Sequence, residues 1–195
     1  MNAVTRAVVV AAAWAMTSSM LADEPPCRAY RLVVRTGVDS AVGQIDLERA
    51  RKATIAELRA LPTPDPQSVQ DDRRVPAEKQ LYRVRGVLVQ QRTGEQRDYV
   101  LVLEDERKNT LLAEISAPSC VPATSPFFQR QREAFRRLDE RLHMDEQSLQ
   151  IGLAIPIEIT GVGFFDLEHF GSPELPGGMA PNLFELNPIL DVKFR

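Results

Sequence analysis

Lys79–Ile115, KQLYRVRGVLVQQRTGEQRDYVLVLEDERKNTLLAEI, is the stretch on which the fold turns. Near its start Tyr82 and Val84 alternate with Arg83 and Arg85, the period-two pattern of a strand with one wet face. Past Gly86 the apolar phase moves to Val87 and Val89, as it would if a bulge or sharp coil at the glycine swapped the inward face. TGEQ (93–96) and ERKN (106–109) are turn chemistry that sets off DYVLVLED (98–105) and TLLAEI (110–115). Three antiparallel strands joined as hairpins are therefore expected.

Downstream, a proline-rich break around Cys120 leads to Ser125-Pro126, a serine cap with proline at the first helical position. Phe128, Gln131, Phe135, Leu138 and Leu142 then recur at three- and four-residue spacing, which predicts an amphipathic helix ending near Leu142. IPIEITGVGFF (155–165) alternates at Ile155, Ile157 and Ile159, and LFELNPILDVKF (183–194) reads as a last strand element interrupted at Asn187-Pro188. Three strands, a helix and two strands is the order of the OB-fold, a five-stranded Greek-key barrel with its helix between strands three and four. The expected class is therefore mainly β (α+β), an OB-like barrel, with a small sandwich or an α+β sheet as the alternative. The barrel is preferred because its coiled first strand gives the phase break at Gly86 a role.

Upstream, AYRLVVRT (29–36) reads as a short strand before the turn GVDS. TIAELRAL (54–61) carries a capping box, Thr54 with Glu57 three residues on, and so predicts a short helix. Prolines 62, 64 and 66 stop that helix, and QSVQDDRRVPAE (67–78) reads as an exposed connection. At the start of the chain Arg6 and the apolar run Ala7–Met16 have the form of a signal peptide, too short to span a bilayer. Cleavage is expected after Ala22, with Ser19 as the alternative. The expected division is residues 1–22 signal peptide, 23–76 an appendage of strand, short helix and proline-rich connection, and 77–195 the barrel domain. An exported protein, periplasmic or secreted, with no membrane span after cleavage, follows from this. No lipobox precedes Cys27. In an oxidising compartment Cys27 and Cys120, the two cysteines of the chain, are expected to pair.

With 44% hydrophobic and 26% charged residues, the composition is that of a folded domain. The net charge of −3 gives no general affinity for polyanions, so nucleic acid is not favoured as a partner. The arginines of QRQREAFRR (129–137) are interspersed with acids, as on an ordinary exposed helix face. There is no phosphate-binding glycine loop, G-x-S-x-G, C-x-x-C pair or H-E-x-x-H, which lowers the expectation of an enzyme.

The loop between the last two strands concentrates polar chemistry: Asp166, Glu168, His169, Asn182, Glu185 and Asn187. Asp166, His169, Asn182, Glu185 and Asn187 are the expected binding surface, since loops between barrel strands often carry sites. Asp166, His169 and Glu185 form the candidate ligand set for a divalent metal, although side chains of this kind more often hydrogen-bond their own loop. In this region the chain resembles a group of uncharacterised bacterial secreted proteins. Their pattern is matched here by Gly161, Val162, Gly163, Phe164, Phe165, Asp166, His169, Ala180, Pro181, Asn182, Glu185, Leu186 and Pro188. Phe170 displaces the glycine that follows the histidine, and Asn187 stands where that pattern carries a second histidine. The resemblance implies no known activity. Asp98, Asp105 and Glu114 with Arg83, Arg85 and Arg97 lie on or beside the first three strands, but their spacing does not match the active-site pattern of the staphylococcal nuclease barrel, which is also an OB-fold. The expected function is a binding or interaction module, and the alternative a metal-dependent hydrolase, nuclease- or phosphodiesterase-like, using Asp166, His169 and Glu185.

Overall fold

A computed structural model describes residues 27–69, 74–94, 97–143 and 148–195. The expected signal peptide lies outside them. Six strands carry the fold: β1 (Arg51–Lys52), β2 (Leu81–Thr93), β3 (Tyr99–Glu104), β4 (Thr110–Ile115), β5 (Leu149–Phe165) and β6 (Phe184–Phe194). Their order in one mixed sheet is β1-β2-β3-β4-β6-β5, with β2 also paired to β5. The hairpins expected from the turn chemistry are present, since β2–β3 and β3–β4 are antiparallel. β4 and β6 run parallel and meet at Ala113 and Leu186. A sixth strand was not expected: β1 lies parallel to β2, with Arg51 opposite Tyr82 and Lys52 opposite Arg83.

The register also corrects the role given to Gly86. Pairing with β5 runs unbroken through the glycine, and the shift falls between Leu88 and Gln90. Val87, taken for an inward residue, is exposed, and Leu88 is buried. Gly86 is required by close approach instead: a Cβ there would lie 3.0 Å from the Glu104 carbonyl oxygen and 3.3 Å from Ile55 Cδ1.

AYRLVVRT, expected as a strand, instead forms one helical turn, α1 (Leu32–Arg35). Arg31, Val34 and Arg35 are buried while Val33 is exposed, a helical spacing that sends both arginines to one side. There Arg31 reaches Glu78 at 2.6 Å and Arg35 reaches Glu114 at 3.2 Å. Carboxylates distant in sequence thus override the β-propensity of Leu-Val-Val. α2 (Ile55–Arg59) has the predicted capping box, with the Glu57 amide donating to Thr54 Oγ1 and the Thr54 amide to the Glu57 carboxylate. α3 (Phe128–Leu142) buries Gln131, Ala134, Leu138 and Leu142. Ala134, Leu138 and Leu142 join the main core with Leu88, Leu101, Leu103, Leu111, Ile157 and Leu186.

Both faces of the sheet are covered. Along β3 and β4 the loop after β5 lies on one face: Gly178 sits against Val102 and Leu112, and Met179, Ala180 and Leu183 join the same cluster. A second cluster of Ile45, Leu81, Phe127, Val162 and Leu190, with Val42, Leu47 and Ala50 beside it, packs residues 42–50 on β2, β5 and β6. The amino-terminal layer is tied down by the Cys27–Cys120 disulfide, by Arg74 on Asp39 at 2.7 Å and by Arg130 donating to the Leu47 carbonyl. The connection 67–78, expected to be exposed, instead buries Val69, Arg74 and Glu78 among its described residues, and its residues 70–73 lie outside those described. Among the described residues no helix is long and apolar enough to cross a membrane.

Candidate functional site

The structure gives the five residues of the expected binding surface three settings, with Asp166 within electrostatic reach of Glu185. Asp166 follows β5 and caps the turn Leu167–His169, its carboxylate accepting the Glu168 amide; His169 Nε2 lies 3.7 Å from Asp166 Oδ2. Asn182 is structural: its Nδ2 donates to the Leu58 and Leu61 carbonyls, each at 2.9 Å, and its Oδ1 accepts the Phe184 amide. It thereby adds a donor to the Leu58 carbonyl, which also accepts the Leu61 amide, and supplies one to the Leu61 carbonyl just past α2.

Glu185 and Asn187 are one residue apart on one side of β6 and almost wholly buried. Asn187 Nδ2 donates to Glu185 Oε1 at 3.0 Å and to Glu114 Oε2 at 3.2 Å. Arg35 from α1 completes the group, 3.2 Å from Glu114 and 3.6 Å from Glu185. Burial pushes the Glu185 carboxyl well above the usual carboxylate range, and Glu114 beside it pushes further. Burial raises Glu114 too, against the pull of Arg35. Burial opposes the charge on Arg35, but the two carboxylates outweigh it and hold the guanidinium above its ordinary value. Arg35 and Glu114 are the members that sequence reasoning missed, because their distance along the chain leaves no local signal. Among the described residues, no three His, Cys, Asp or Glu side chains converge as a metal-holding group.

Concave space lies elsewhere. A cleft of about 970 Å³ opens between residues 52–57, the outer side of β2 from Arg83 to Val87, and the β3–β4 turn from Glu104 to Arg107. It sits where β2 has parted from β1 and not yet met β3: β1 pairs with β2 at Tyr82 and Arg83, and β3 begins its pairing at Val87. One wall carries Lys52, Arg83 and Arg85. Arg85 Nε donates to Glu158 at 2.6 Å, and Arg195 Nη2 donates to the same carboxylate oxygen at 2.7 Å. The bond from Arg85, helped by Arg195, holds Glu158 below the usual carboxylate range. Arg83 Nε is buried and has no hydrogen-bond partner among the described residues. The cleft has walls, charge and an accessible mouth, and no serine, cysteine or histidine lines it. The chain matches no protein-family model and no curated protein sequence.

Proposed function

We propose that the chain acts, once exported, as a binding module whose ligand site is this cleft, carried on an OB-like ring of five strands. The pairing cycle β2-β3-β4-β6-β5-β2 supports the OB-like description, as does α3 between β4 and β5. Export is supported by the disulfide, which needs an oxidising compartment to persist. In this scheme residues 77–195 are the barrel, and the amino-terminal stretch is a layer folded on it that supplies one wall of the site.

The observation that carries the proposal is the cleft itself, built from three separate stretches of chain around Gly86. The polar residues of the 166–187 loop favour it indirectly. Asn182, Glu185 and Asn187 are committed to internal hydrogen bonds, and a hydrolase using Asp166, His169 and Glu185 would have to draw Glu185 away from Arg35 and Asn187.

Amide chemical shifts of the oxidised mature chain, followed while a set of small polar and aromatic fragments is added, test the proposal. Saturable shifts are expected at Ala53, Gly86, Val87 and Glu106. Shifts confined to Asp166–His169, or a thermal stabilisation by calcium, magnesium, manganese or zinc that Asp166→Ala and His169→Ala abolish, would favour the hydrolase instead.

A further inference from the structure

The charges lining the cleft are unevenly paired. In sum the lining is not basic, since Lys52, Arg83, Arg85 and Arg107 face Glu57, Glu104, Asp105, Glu106 and Glu158. Two of those five carboxylates are matched by cations, and two more are held by neutral donors. Glu57 accepts from Thr54, Glu104 from Lys108, Asp105 from the Asn109 side chain and nearby amides, and Glu158 from Arg85 and Arg195. On the opposite side of the ledger, only Arg85 has a carboxylate partner. Lys52 and Arg83 stand directly opposite each other in the β1–β2 ladder, where like charges destabilise a sheet. The buried Arg83 Nε–H, with no acceptor, adds the cost of an unmade hydrogen bond. Nothing in the fold requires two cations there, since β1 is exposed and a neutral pair would serve the ladder.

We infer that the cleft seats the anionic group of a small ligand, a carboxylate or a phosphate monoester, between Lys52 and Arg83, with the ligand's apolar part over Ala56, Gly86 and Val87. This rests on the cleft being the ligand site. An anion there separates the two like charges and meets the outer, accessible Nη edge of the Arg83 guanidinium, in the charge-assisted geometry that favours arginine. Val87, 36% exposed, supplies an apolar surface at the same mouth. The size of the ligand follows from the acids of the facing turn: Glu104, Asp105 and Glu106 repel a chain of phosphates, so a small anion is accommodated and a nucleic-acid strand is not.

The test uses three probes of similar shape, benzoate, phenyl phosphate and neutral benzamide, added to the oxidised mature chain while the Gly86 amide and the Arg83 Nε–H resonances are followed. Benzoate or phenyl phosphate should shift both saturably, and the tighter of the two identifies the anion. Binding should exceed that of benzamide by roughly fivefold and fall roughly tenfold in Arg83→Gln and in Lys52→Gln. Lys52 is exposed, so Lys52→Gln keeps the test valid if Arg83→Gln does not fold. Benzamide binding in the cleft as tightly as the anions overturns the anion assignment and leaves the cleft as a binding site. Anion binding that neither variant weakens places the anion elsewhere and overturns it as well. Silence of the cleft towards all three probes to about 10 mM, with silence towards the wider fragment set, overturns both this inference and the proposed function.

Discussion

Replacing Arg35 with methionine keeps an unbranched side chain and removes the guanidinium that lies over Phe164 and is shared by Glu114 and Glu185. Both carboxyls already lie above the usual value of 4.5, so the folded chain binds more protons than the unfolded one. A group of this kind stabilises most below its unfolded value and loses that stabilisation as pH rises through its folded value. Without Arg35 the folded values rise further and the loss extends to higher pH. Each additional proton held by the folded state makes stability fall by about 1.4 kcal/mol per pH unit. Between pH 5 and 7 one such proton amounts to about 2.7 kcal/mol, near the 3–5 kcal/mol typical of removing one partner from a buried ion pair. Urea unfolding of both proteins at pH 5, 6, 7 and 8, followed by circular dichroism, measures the difference. Arg35→Met should lie within about 1 kcal/mol of the parent at pH 5 and about 3 kcal/mol below it at pH 7 to 8. Adding Glu185→Gln should return most of that loss, because the amide carries no charge to desolvate. Parallel pH profiles for the parent and Arg35→Met would refute the electrostatic account of the cluster, whatever the absolute loss.

The disulfide closes a loop between residues 93 apart, for which chain entropy gives about 4.7 kcal/mol. Replacing Cys27 and Cys120 together by alanine should lower unfolding free energy by about that much, and a loss below about 1 kcal/mol would show that the amino-terminal layer holds without it. Asn182→Ala removes the side-chain donor of the Leu61 carbonyl, leaves Leu58 with the Leu61 amide, and should cost about 1–3 kcal/mol in urea unfolding. His169→Ala, in a half-exposed turn, should stay within about 0.5 kcal/mol, and equal losses in the two variants would contradict the division between structural and surface residues.

Features encoded locally were legible in the sequence. β2 announces itself by alternation, β3 and β4 by the turns that set them off, and α2 by the Thr54–Glu57 box that the structure reproduces. α3 was also legible, although its buried stripe runs through Gln131, Ala134, Leu138 and Leu142 and leaves Phe128 and Phe135 partly covered. What failed was whatever depends on a second layer. α1 is helical because Glu78, Glu114 and Glu185 await its arginines, and no property of residues 29–36 carries that information. Gly86 was given a bulge because Val87 is apolar; the structure spends Val87 on the surface and places the register shift beyond Leu88.

The candidate site was read from proximity along the chain. Polar residues close in sequence at a loop suggest convergence on a ligand, yet in a sheet covered on both faces the same residues are needed inside. The covering loop must present donors to helix carbonyls, which Asn182 does, and the strand that follows must meet the arginine of another layer, which Glu185 and Asn187 do. A concentration of Asp, Asn and Glu beside buried strands is therefore as much the signature of two layers docking as of a site. The cleft shows the opposite pattern. Its walls come from residues 52–57, 83–87 and 104–107, unremarkable in sequence, and acquire meaning only when β1 sets Lys52 beside Arg83. Arginines alternating along one strand read as a solvated face. A lysine registered against one of them across a parallel ladder, with no carboxylate for either, is an arrangement that a fold selected for stability alone would discard, and it is this unpaired charge that singles out the cleft.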